Sequence, residues 1–167
     1  MDSLHPSQTY AAVMARQLGL DLHNQGVGSG TFNVDTLQEE TVSGVEQVTV
    51  AFGVNDWRNG LTPDCAMPYL ERLLQLYPNV PVAVFEPVWY PYGDQEHALF
   101  PDTETPFSAY RYGLSQVVDG FETIHFVPRH QLMPDGPSSL LVGGHPNTQG
   151  QMVYGQNAAV AIRALRG

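Results

Sequence analysis

Short apolar runs rich in β-branched residues alternate with amphipathic segments along most of this chain, and no other feature restricts its fold as much. Val45 to Phe52 (VEQVTVAF), Val80 to Phe85 and Thr123 to Val127 read as strands of the buried type, and Leu20 to His23 as a shorter one. Tyr10, Val13, Met14 and Leu18 recur at helical spacing before Gly19, which predicts a helix from about Ser7 to Leu18. Leu70, Leu73, Leu74 and Tyr77 mark a second helix. Phe107, Tyr110, Leu114, Val117 and Val118 mark a third, and Asn147 to Leu165 a closing one. Such alternation predicts an α/β fold: a three-layer, doubly wound, mostly parallel sheet with helices on both faces and ligands bound beyond the carboxyl ends of the strands. Only the Pro- and aromatic-rich stretch from Glu86 to about Pro106 is long for a connection. No repeat or linker interrupts the pattern, so residues 1–167 are expected to form one domain.

Charge narrows the partners. The chain carries seven arginines, no lysine and a net charge of -10, so nucleic acid and anionic membrane surfaces would be repelled. No apolar run approaches the roughly 20 residues that span a bilayer, and Met1 to Pro6 lacks both a basic and an apolar region. The expectation is a soluble, cytoplasmic protein of unspecified oligomeric state. Cys65, the one cysteine, excludes an internal disulfide and a Cys-based zinc cluster, and fits a buried, inert thiol. No metal and no cofactor are expected. Gly26-Val27-Gly28-Ser29-Gly30 lacks the third glycine of a dinucleotide fingerprint, and no helix follows it at once.

Three loops at strand ends carry candidate chemistry. In Gly143 to Gly150 (GGHPNTQG), Pro146 restricts the backbone of His145 and Asn147 can cap the following helix, which holds an imidazole in the fixed place a general base needs. Most histidines are nevertheless surface or hydrogen-bonded core residues. Asn55 offers a side-chain N–H to a developing oxyanion, and backbone N–H groups of Gly28, Ser29 or Gly30 could join it. An Asn-Asp pair and a glycine loop also serve as plain turns.

Taken in order, these blocks resemble the SGNH (GDSL-type) hydrolases. That family carries a GDS serine near its N-terminus, a glycine loop after the second strand, a GxND asparagine after the third, and a DxxHP pair near the C-terminus. Asn24 to Gly30 resembles the second block, Gly53 to Asp56 (GVND) matches the third, and His145-Pro146-Asn147 matches the histidine of the last. HPSQTYAAVMARQLG is similar to the helix that follows the nucleophile in bacterial members. The resemblance implies a flavodoxin-like sheet and acyl-ester hydrolysis. A serine attacks the carbonyl, His145 is the base, and Asn55 with amides of the glycine loop holds the oxyanion; the family's oxyanion glycine aligns with Ser29 or its neighbours.

Two positions depart from the pattern. Met1-Asp2-Ser3-Leu4 superficially resembles GDSL, but Met replaces the glycine and no strand precedes Ser3. The alignment instead places the nucleophile just before Met1, so the chain is expected to be N-terminally truncated and to lack the family's first strand. Strands beginning near Leu20 and Val45 would then flank a gap or pair directly. The family's aspartate position, three residues before His145, is occupied by Val142; Asp135, in the same loop, could orient the imidazole or act only in its turn, and a Ser-His dyad is the alternative. Trp57, Trp89 and Tyr90 are expected on the rim, stacking on a sugar, lining an acyl pocket, or packing a loop. The reading that follows is a serine esterase acting on a small-molecule acyl ester, such as an O-acetylated carbohydrate. The alternative is a non-catalytic ligand-binding domain of the same fold.

Overall fold

The computed structural model describes residues 5–37, 42–88, 103, 105–134, 141–142 and 145–166. The chain divides into two compact units, one built of Met1–Gly28, Val88–Tyr92 and Val127–Gly167, the other of Ser29–Pro87 and Gly93–Phe126.

The second unit holds the sheet. Strands β1 (Val48–Val50) and β2 (Val82–Phe85) pair in parallel with Val48 opposite Val82 and Val50 opposite Val84, and β3 (Ile124–Val127) completes the order β1-β2-β3. All four side chains of β2 are wholly buried, as its uninterrupted VAVF run requires of a strand covered on both faces. A short helix, α2 (Val54–Arg58), follows β1, and α3 (Ala66–Leu76) leads on to β2. α4 (Phe107–Asp119) links β2 to β3. α3 buries Tyr69, Leu70 and Leu73, and α4 buries Phe107, Tyr110, Leu114 and Val118. Each is a stripe at spacings of three and four, and each fully buried Leu or Phe contributes roughly 1.5–3 kcal/mol relative to exposure. Phe32, Phe52 and Tyr69 add an edge-to-face aromatic cluster with centroids 5.6 to 5.8 Å apart.

The first unit is organised by α1 (Tyr10–Leu18) and α6 (Thr148–Arg166), with α5 (Arg129–Leu132) and a two-residue antiparallel ladder, β4 (Leu141–Val142) with β5 (His145–Pro146). Tyr10 and Tyr154 stack at 4.4 Å, and Gly155 lets the helices touch: a Cβ there would stand 2.5 Å from the carbonyl oxygen of Tyr10. Asn157 donates to the carbonyl of Leu132, tying α5 to α6.

The alternation of strands and helices expected from the sequence is therefore present, with three corrections. α1 begins at Tyr10 and not near Ser7, because Thr9 stands in extended conformation and caps the amide of Ala12, while Pro6–Gln8 forms a separate 3-10 turn. β1 is shorter than Val45–Phe52. Leu20–His23 is not a strand: Asp21, Leu22 and His23 are exposed, Leu22 by 43%, and without a partner ladder among the described residues nothing rewards extended pairing. Nor does β1 pair with it; among the described residues β1 is the edge of the sheet order, with Val48 and Thr49 only half-buried. Among the described residues, no helix is long and apolar enough to cross a membrane.

Candidate active site

The GVND loop is shaped by Gly53. Its φ of 124° lies where L-residues rarely go, and a Cβ would come within 2.7 Å of Cγ of Pro87 and 3.3 Å of the Tyr110 ring. Only glycine lets the chain leave β1, pass this wall and start α2 at once. Asn55 and Asp56 thus fall in the first turn of α2, where both side chains meet the segment that follows the glycine loop.

Asn55 is half-buried, and its Nδ2 donates to the carbonyl oxygen of Gly30 at 3.0 Å. A primary amide has two N–H groups, and the second finds no partner among the described residues. Asp56 is wholly buried; its Oδ1 accepts the amide of Phe32 at 2.9 Å and the thiol of Cys65 at 3.5 Å, while Oδ2 has no partner among the described residues. Burial pushes the Asp56 carboxyl above the ordinary 3.8, although the Phe32 amide and the thiol pull the other way. The Cys65 thiol is pushed up to about 12, by burial first and then by the negative charge of Asp56. Cys65 is half-buried, not fully buried as expected from the sequence. Burial also raises the Tyr110 phenol well above its usual range, again with Asp56 nearby.

Ser29 has φ 60°, the only positive φ at a non-glycine residue among those described. The backbone at position 29 thus stands in a left-handed turn that glycine adopts without strain. Gly28 is exposed and belongs to the first unit; Ser29, Gly30 and Asn55 belong to the second.

In the first unit, His145 is exposed and stands opposite Val142 in the β4–β5 ladder. Pro146 follows it, and Asn147 accepts the amide of Gly150 at 2.9 Å, so the turn is restricted on one side and capped into α6 on the other. Ser3, Asp135, Trp89 and Tyr90 lie outside the described residues.

Trp57 is 4% exposed, so it does not stand open on a rim. Its Nε1 donates to the carbonyl of Thr105 at 2.6 Å, and its ring packs on Phe107 at 4.9 Å. It does face a cavity of about 240 Å³ shared with Leu61, Thr62, Thr105 and Tyr110. Among the described residues, no group of His, Cys, Asp and Glu side chains could hold a metal ion.

Sequence reasoning passed over the carboxylate of Asp56, taken as turn chemistry together with Asn55. It also passed over Gln151, which is 3% exposed and bonded to both Tyr10 and Pro146. Asp56 was legible as the neighbour of Asn55 in one turn; nothing in the sequence separates Gln151 from any polar helix residue.

The family model of GDSL-like lipases and acylhydrolases matches residues 2–153. This chain belongs to that family. Solved structures similar to this chain include salicylyl-acyltransferase SsfX3 from a tetracycline biosynthetic pathway, at TM-score 0.75 and 19% identity, covering 99% of this chain and 51% of that one. The chain thus spans about half the length of the acyltransferase. The native aryl esterase of M. smegmatis matches at TM-score 0.71 and 16% identity over 97% of this chain and 87% of that one. A carbohydrate acetylesterase family member from Sinorhizobium meliloti matches at TM-score 0.70 and 12% identity over 96% and 88%. At these identities the likeness is one of fold, the SGNH-hydrolase arrangement of a small parallel sheet flanked by helices. The comparison with curated proteins returns no match.

Proposed function

We propose that this acylhydrolase-family chain carries the site of a serine esterase acting on small acyl esters, O-acetylated carbohydrates among them. A serine hydroxyl attacks the ester carbonyl while His145 takes its proton and returns it to the leaving alcohol. Water then releases the acyl group by the same route. The oxyanion is held by the amide at Ser29, with Gly28 and Gly30 beside it, and by the second N–H of Asn55. The observation that carries this reading is the bond from Asn55 to the Gly30 carbonyl: it brings the asparagine amide onto the glycine loop, where two donors can converge on one oxygen. Family membership and the esterase and acetylesterase named among the similar structures support the reaction class.

The nucleophile is a serine, with Ser3 among the candidates, within a single domain. Asp135 or a backbone carbonyl orients His145, and Trp57, Trp89 and Tyr90 shape the acyl or sugar side of the pocket. A second reading, a binding domain without turnover, is favoured by one observation: Val142 stands beside His145 in the ladder, where the family's pattern has an aspartate.

Labelling with a fluorophosphonate probe and hydrolysis of p-nitrophenyl acetate test the esterase. His145→Ala should abolish both, and Asn55→Ala should lower kcat by about a hundredfold to a thousandfold. Ser3→Ala leaves activity intact if the nucleophile is elsewhere. A chain that neither labels nor turns over leaves only the binding reading.

A further inference from the structure

Among the described residues few polar side chains are buried, and one of them, Gln151, joins the start of α1 to the turn that carries His145. It sits near the start of α6, 3% exposed. Its Oε1 accepts the backbone amide of Tyr10 at 2.7 Å, and its Nε2 donates to the carbonyl oxygen of Pro146 at 3.3 Å. Tyr10 opens α1, so its N–H has no acceptor within that helix. Thr9 caps the amide of Ala12, and the glutamine caps that of Tyr10 from 141 residues away. The other half of the same side-chain amide grips the residue directly after His145.

The start of α1 is a firm reference for such a grip. The Tyr10 ring is stacked on Tyr154, and the Tyr10 carbonyl is pressed against Gly155, where even a methyl group would collide. Neither contact allows α1 to slide along α6. A planar amide with its acceptor committed to Tyr10 has its donor aimed in one direction, and that direction is the Pro146 carbonyl.

We propose that Gln151 is a positioning residue for His145: it measures the His145–Pro146 turn against the start of α1 and fixes the height at which the imidazole is presented. The proposal rests on the reading of His145 as the base. Its physical content is that one side chain makes two bonds with separate consequences, one capping α1 and the other setting the turn. A residue that merely satisfies the core would lose both functions together.

Two variants separate these cases. Gln151→Glu, studied at pH 8, keeps an acceptor for Tyr10 but has no donor for Pro146; Gln151→Met keeps the volume and makes neither bond. Amide hydrogen exchange at Tyr10, together with backbone resonance positions and fast-timescale relaxation at His145, reads the two ends independently. In Gln151→Glu, Tyr10 should stay as protected as in the wild type while the His145 amide shifts and gains mobility. In Gln151→Met both ends should loosen. On p-nitrophenyl acetate, kcat should fall about tenfold to a hundredfold in Gln151→Glu with KM little changed. The proposal is overturned if His145 is unmoved in Gln151→Glu, or if it is disturbed only when and as far as Tyr10 is. If Gln151→Met does not fold, the glutamate variant decides alone. A wild-type chain without hydrolysis would sink the esterase reading, whereas exchange and relaxation would still decide the role of Gln151.

Discussion

Asn55 donates its side-chain amide to the carbonyl oxygen of Gly30 at 3.0 Å, and the next residue, Asp56, accepts the amide of Phe32 at 2.9 Å. Two consecutive side chains in one turn of α2 therefore clamp a three-residue segment at both ends. The donor bond orients Asn55, and the acceptor bond, buried where water cannot compete, fixes the segment that Asn55 reads. Conformational order at this loop comes from α2 and ultimately from Gly53, which lets α2 begin directly at the end of β1.

Ser29 pays for its left-handed turn in backbone strain, since the conformation costs an L-residue about 1–2 kcal/mol that glycine avoids. Glycine in turn gives the unfolded chain about 0.4–1 kcal/mol more entropy to lose. Ser29→Gly should therefore be neutral or up to about 1 kcal/mol stabilising, and Ser29→Val, β-branched, should destabilise by about 1 kcal/mol or more. Urea unfolding midpoints check both. A glycine variant less stable than the wild type would show that the serine side chain contributes something the backbone argument omits.

Gly53→Ala meets two obstacles at once, a φ of 124° and the Cγ of Pro87 at 2.7 Å. The expected loss is about 2 kcal/mol or more, read from chemical denaturation. Because the same residue aims α2, hydrolysis by the surviving folded fraction should fall as well. Loss of stability with unchanged kcat would mean that the start of α2 does not depend on Gly53.

Elements whose sequence pattern coincided with their burial were legible. Val82 to Phe85 reads as a covered strand and is one; Tyr110, Leu114 and Val118 read as a helix face and are buried together. Leu20–His23 misled because two leucines among polar neighbours satisfy a strand pattern that says nothing about whether a partner ladder exists. Trp57 misled in the opposite sense: its place after GVND suggested a rim, but a five-residue helix turns it inward onto Phe107 and Thr105. Of the residues proposed for the site, His145, Asn55 and the glycine loop stand out by type and order. Their supports do not, because Asp56 and Gln151 act through backbone groups at Phe32, Tyr10 and Pro146, and any residue supplies those.

Cys65 should behave as a silent thiol. With its titration pushed up to about 12, only about one molecule in ten thousand carries the thiolate at pH 8, and the thiolate is the nucleophile. Native protein should react with a disulfide reagent several hundredfold or more slowly than protein unfolded in urea, at about the ratio of thiolate populations. Asp56→Asn removes the neighbouring negative charge and should speed the native reaction. Equal rates in native and unfolded protein would mean that the half-buried setting beside Asp56 does not keep the thiol protonated.

The carboxyl of Asp56 makes a prediction whose sign is set by burial. Its folded titration lies above the ordinary 3.8, so the folded state favours the protonated form. Stability from this group is fully present below about pH 4 and is lost as pH rises through the folded value. Asparagine keeps an oxygen for the Phe32 amide and cannot ionise. The stability of Asp56→Asn relative to the wild type should therefore increase from pH 3.5 to pH 7.5, measured by urea unfolding at both. The reverse slope would mean that the charged form is the one the fold prefers, and that Oδ2, without a partner among the described residues, has a donor in solution. Asp56→Ala, which removes the acceptor as well, should be less stable than Asp56→Asn at both pH values, by about 1–3 kcal/mol, because the Phe32 amide is then buried without a partner.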